Sequence, residues 1–265
     1  MKGRSRWRTV DLLLFTGTVI VSLVIPFMHP PWRVPVGLGF VAGAFLRLHR
    51  NRAVFVPALF FGIHAVLGPL VLPVVQRMPL QLPQISFLPS IVVYLVIVLA
   101  VPDYRRFTGW CRWGRVDRST FRLGALLVLG SIAALSAWAL TGGRDFTRYD
   151  EFIPDAGLGV LVLYGILFAV SNALFEEFFA RAILYDGFLA ATGRAAAAIV
   201  LQALVFALWH YNGFPGGVSG VALVFVWSVL LGWLRLRSGG MAAPVIVHIF
   251  ADGTIGILLL HAVIL

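Results

Sequence analysis

Nine apolar runs divide this sequence, at 9–28, 34–46, 53–76, 85–101, 121–141, 157–180, 195–212, 219–236 and 241–264. A helix needs about 20 apolar residues to cross a bilayer, and most of these runs reach or approach that length. Of the 265 residues, 60% are hydrophobic and only 12% are charged, about half the charged share of a soluble domain. One core cannot hide that much apolar surface, so the solvent must be lipid. The expected fold is all-α: a polytopic transmembrane bundle of eight or nine spans around an intramembrane polar cavity. The run at 34–46 is the shortest; its Gly39 and Gly43 have the small-xxx-small spacing that allows two helices to approach closely. The single cysteine, Cys111, excludes an internal disulfide.

The formal net charge is +10, almost all from arginine. A nucleic-acid partner would require those arginines on one face of a folded domain. They fall instead between the apolar runs, which excludes that class and makes them topological. With the N-terminus in the cytoplasm, sixteen basic residues lie on the cytoplasmic side and four, Arg33, Arg77, Arg144 and Arg148, on the other. This is the positive-inside pattern. The first 28 residues start basic and turn apolar like a signal peptide. The run is followed by "HPPWR" rather than a small-residue cleavage site, so it reads as a retained helix. The longest polar stretch, 103–119, is a basic cytoplasmic loop whose Trp110 and Trp113 are expected at the lipid headgroups. One lysine against 20 arginines fits a GC-rich genome and favours a prokaryotic inner membrane.

The second half of the chain carries polar groups that lipid disfavours. Glu176, Glu177, Arg181, His210, His248 and Asp252 all lie in or beside apolar runs, and a charge near the bilayer centre costs roughly 2.5–3.5 kcal/mol on insertion scales. Such groups persist when they pair or serve a function. Glu177 and Arg181 are four apart, on one helix face, so they can form an ion pair. Glu176 points about 100° away and shares a face with Asn172. It lies 17 residues before Gly193, and His210 lies 17 after. In an antiparallel hairpin that places both at one depth. His248 and Asp252 share a face of the last run. They reach the same depth only if the hairpin tip projects beyond the bilayer. His64 and His261 lack comparable partners and read as structural.

Three segments then resemble a known family. "EEFFAR" at 176–181 matches Glu-Glu-x-x-x-Arg, "FALWH" at 206–210 matches Phe-x-x-x-His, and "HIFAD" at 248–252 matches His-x-x-x-Asn/Asp. In this order, each in its own apolar helix, they resemble the CPBP family of CAAX proteases and bacteriocin-processing enzymes, also called ABI. The resemblance covers about 155–265 and divides the chain into N-terminal spans with the basic loop, 1–150, and a catalytic region, 151–265. It implies an intramembrane endopeptidase similar to the type II CAAX prenyl endopeptidases. Glu176 and His210 would then activate water, His248 with Asp252 would stabilise the oxyanion, and Glu177 with Arg181 would support the site. The substrate would be a peptide or membrane protein, prenylated or carrying a leader, with no cofactor. An ionised Asp252 cannot donate to an oxyanion. It must hold a proton or act by orienting and charging His248.

Residue types alone leave three rivals. Two histidines and a glutamate form a known catalytic zinc set, here His210, His248 and Glu176. Intramembrane carboxylates and histidines also build proton relays in transporters, although paired repeats would then be expected in both halves. A non-catalytic binding or immunity protein is the third. The arginine distribution generates the first prediction. Cysteines introduced at the two ends should label from opposite sides of the membrane, the N-terminus from the cytoplasm. Labelling of both ends from one side would remove one crossing, first of all the run at 34–46.

Overall fold

The computed structural model describes residues 2–25, 30–75, 77, 83–141, 146, 153 and 155–264. Every regular element among them is helical. The helices are α1 Lys2–Val24, α2 Pro30–Leu48, α3 Arg52–Val75, α4 Leu88–Ala100, α5 Pro102–Arg105, α6 Arg118–Leu140, α7 Leu158–Glu177, α8 Tyr185–Thr192, α9 Ala195–Trp209, α10 Gly217–Ser238 and α11 Ala242–Ile264. A π-helical turn, Phe178–Leu184, joins α7 to α8. The stretch Leu158–Thr192 is therefore 35 residues of unbroken helix.

Among the described residues six helical stretches are long and apolar enough to cross a membrane. They are Arg52–Val75, Arg118–Leu140, Leu158–Thr192, Ala195–Asn212, Gly217–Ser238 and Ala242–His261. Gly37–Leu48 and Ile85–Ala100 are apolar but shorter. Exposed leucines, valines and isoleucines cover these helices, among them Leu126, Leu129, Leu163, Ile166 and Ile257, as expected of surfaces that face acyl chains. The protein is an integral membrane protein with an all-helical fold. Glu151, Arg144 and Arg148 lie outside the described residues.

The chain forms two compact units. One comprises Met1–Gly109 with Ile183–Ala198, the other Trp110–Ala182 with Ile199–Leu265. In the first, α1, α2, α3 and α8 pack together. Phe15 stands edge-on to Phe61 and Phe188, close over Gly187, where a Cβ would collide with its ring. Asn51 donates to the buried carboxylate of Asp11 at 3.0 Å. His64 hydrogen-bonds Ser90 at 3.1 Å and stacks on Phe87 at 3.9 Å, so it has a packing role there. The close contact expected at Gly39 and Gly43 is not made among the described residues, since neither has such a neighbour within 4 Å of its Cβ position. The helices approach instead at Gly37, against Ile25, and at Gly62, against Phe45.

The second unit holds the polar residues. Its α11 packs against α7 and α6. Asp117 caps α6 by accepting from the Thr120 amide at 2.7 Å, and that bond holds its carboxyl down at about 2. Trp113 is 83% exposed. Trp110 packs edge-on against Phe178 of the π-helical turn at 5.3 Å.

The start of α11 is fixed by an extended segment running from the basic loop. Arg115 N–H donates to Ser238 C=O at 2.8 Å, Met241 N–H to Arg112 C=O at 2.9 Å, and Ala242 N–H to Trp113 C=O at 3.1 Å. The two backbones meet at glycines. Gly114 has φ +81° and faces Gly240, where a Cβ would collide with the Trp113 and Gly114 backbone. Overpacking of this kind costs typically 1–3 kcal/mol. Gly240→Ala should therefore lower the thermal midpoint and shift the start of α11, which carries His248. Gly130→Ala, facing nothing within 4 Å, should leave the midpoint where it is. Equal midpoints in scanning calorimetry would refute the role given to this contact.

Candidate active site

Six polar residues foreseen from the sequence come together inside the second unit. Glu176 and Glu177 end α7, and Arg181 follows in the π-helical turn. A single π turn inside an α-helix is frequent at functional sites. His210 opens the short 3₁₀ turn after α9, and His248 and Asp252 lie on α11. All but His210 are buried, and His210 is only partly exposed.

The Phe-x-x-x-His spacing has a local explanation. The Phe206 carbonyl sits one turn before His210 and accepts from its Nδ1 at 2.8 Å. A carbonyl only accepts, so Nδ1 carries the proton and Nε2 faces the site. His248 is arranged likewise, with Nδ1 2.7 Å from Oε1 of Glu177. Both Nε2 atoms therefore turn toward one oxygen, Oε2 of Glu176, at 3.6 Å from His210 and 3.4 Å from His248. Lone pairs cannot face one another at this range without a proton between them. Either an imidazole or the carboxyl carries it, or a water supplies it. Glu176 and His210 are also the accessible members. Their side chains are 11% and 13% exposed, against 0–3% for Glu177, Arg181, His248 and Asp252.

Glu177 and Arg181 form a buried ion pair at 2.8 Å. The pair does more than neutralise itself, because the same Oε1 also holds His248. The guanidinium is further fixed by residues that sequence reasoning missed. Its Nη2 donates to Oγ of Ser228 at 3.0 Å. Gln202 Nε2 donates to the Ser228 carbonyl at 3.2 Å. The guanidinium carbon lies 4.9 Å from the Phe206 ring centre and 5.5 Å from that of Trp227, a cation–π arrangement suited to a desolvated arginine. Trp227 stands edge-on to His248 at 4.6 Å and donates through Nε1 to Ser131 at 2.8 Å. A signal was available for two of these. Gln202 and Ser228 are polar residues inside apolar helices, and Gln202 lies two turns before His210 on the same face.

Asp252 faces His248 Nε2 through Oδ1 at 3.5 Å, while its Oδ2 accepts from the Asn172 amide at 3.1 Å. Three carboxylates are thus gathered around one guanidinium and two imidazoles. Neutrality of the cluster requires two further protons, shared among the imidazoles and carboxyls. His210, His248 and Glu176, the set considered for zinc, do converge. Even so, among the described residues no three His, Cys, Asp or Glu side chains are arranged to hold a metal ion.

The cluster can polarise a water at Glu176 and present a donor from His248. Residues 158–254, which contain all six side chains, match the type II CAAX prenyl endopeptidase Rce1-like family. Neither a curated protein nor a solved structure matches the chain. The stretch that carries the whole cluster is thus similar to the type II CAAX prenyl endopeptidase Rce1-like family.

Proposed function

We propose that this protein is a metal-free, glutamic-type intramembrane endopeptidase acting on membrane-associated peptides, prenylated or carrying a leader. The observation that carries the reading is the meeting of two imidazole Nε2 atoms at one carboxylate oxygen, Oε2 of Glu176, on the only partly accessible side of the cluster. A water held between Glu176 and His210 gives a proton to Oε2, and its oxygen attacks the scissile carbonyl carbon. The carbonyl π electrons move onto oxygen, and the His248 imidazole donates to that oxyanion. Collapse of the tetrahedral intermediate breaks the C–N bond, and the proton held by Glu176 passes to the departing amine. Preorganised donation to the oxyanion is usually the largest single contribution to such a reaction, and here Glu177 and Asp252 set the orientation of the donor ring.

The chain is placed in a prokaryotic inner membrane, with nine crossings, the N-terminus in the cytoplasm and the tip near Gly193 projecting from the bilayer. The arginine distribution and the matching depths of Glu176, His210 and His248 support this arrangement.

Glu176→Gln keeps shape and removes the proton acceptor. It should lower cleavage of a peptide library by at least about a hundredfold with an unchanged thermal midpoint. Glu177→Gln should act mainly on stability. It removes the charge that pairs with Arg181 and faces His248, and breaking a buried pair costs roughly 3–5 kcal/mol. Purified active protein should contain no stoichiometric zinc and should survive a chelator. Chelator-sensitive activity restored by zinc would replace this mechanism with a zinc site on His210, His248 and Glu176.

A further inference from the structure

We infer that Asn172 is a positioning residue for His248, acting through Asp252, and that residues 172 and 252 work as one unit. The inference deepens the proposed function and rests on it. Asn172 belongs to none of the three motifs. It lies one turn before Glu176 on α7 and is buried. Its amide nitrogen donates to Oδ2 of Asp252 at 3.1 Å, across from α7 to α11. With Oδ2 taken, the carboxylate presents Oδ1 to His248 Nε2 at 3.5 Å.

The consequence follows from what each partner can do. A carboxylate in a desolvated site is costly unless hydrogen-bonded, and Asn172 supplies a neutral donor that satisfies one oxygen without cancelling the charge. That charge stays directed at the imidazole. His248 is therefore flanked by Glu177 at Nδ1 and by Glu176 and Asp252 at Nε2, with Arg181 behind Glu177. Each faces the ring with a fixed oxygen, so a proton on Nε2 is held and aimed. In this way a carboxylate at 252, which cannot itself donate to an oxyanion, contributes by keeping the His248 donor in place. Asn172 decides which oxygen performs that task.

The test is a swap. Asn172→Ala should lower kcat about tenfold or more with KM little changed, and should move the His248 ring resonances in ¹⁵N-histidine spectra. Asn172→Asp should lower the thermal midpoint, because two carboxylates then oppose one another. The double variant Asn172→Asp/Asp252→Asn keeps both side-chain shapes and restores a donor–acceptor pair with its polarity reversed. Its midpoint should recover, while kcat stays at least tenfold down. The charge has moved to residue 172, one turn from Glu176, and no longer faces His248. Recovery of kcat together with the midpoint would show a structural pair only and overturn the proposal. Wild-type kcat and ring resonances in Asn172→Ala would do the same. The ring spectra need no substrate. If wild type and Glu176→Gln treat peptides alike, the peptidase reading fails, and the spectra still decide whether Asn172 positions His248.

Discussion

One oxygen atom ties the second unit together. Oε1 of Glu177 lies 2.8 Å from the Arg181 guanidinium and 2.7 Å from His248 Nδ1, with almost no solvent at any of the three. In such a setting a charge must be paired, because water is not available to solvate it. Arg181 is held by Ser228 on α10, Ser228 by Gln202 on α9, and His248 rides on α11. Four helical segments are therefore joined through polar contacts made where lipid would otherwise favour none. Apolar side chains facing acyl chains give helices little reason to choose particular partners. A network with defined donors and acceptors gives them one.

The same network divides labour between the two glutamates, which are neighbours in sequence and about 100° apart around the helix. Glu177 looks inward and is consumed by the structure, with both of its partners buried. Glu176 looks toward the accessible edge and faces two imidazoles at longer range, so it retains capacity to exchange a proton. Two carboxylates on one short segment thus have different surroundings. The π-helical turn that follows, Phe178–Leu184, carries Arg181 and also presents Phe178 to Trp110.

A second constraint acts at the start of α11. The extended segment at 112–115 binds the turn before α11 by backbone hydrogen bonds alone, and glycine at 114 and 240 allows the approach. Those contacts fix where α11 begins, and so the depth of His248 two turns later. The basic loop thus has a structural task.

The sequence by itself determined the solvent, the helical class and the six polar side chains of the site. Each of those readings rests on composition or on spacing along one helix, where 3.6 residues per turn fixes who shares a face. Glu177 with Arg181 and His248 with Asp252 were legible in that way, and equal distance from the turn at Gly193 matched Glu176 with His210. Tertiary structure alone decided which nitrogen of each histidine faces Glu176, that Glu177 serves His248 as well as Arg181, and that Asn172, Ser228, Gln202 and Trp227 complete the cluster. These contacts join residues 26 to 96 positions apart, and no periodicity encodes a distance across helices. The open Gly39 and Gly43 show the same limit. A residue's type names what it can contact, while the packing of neighbouring helices settles what it does contact.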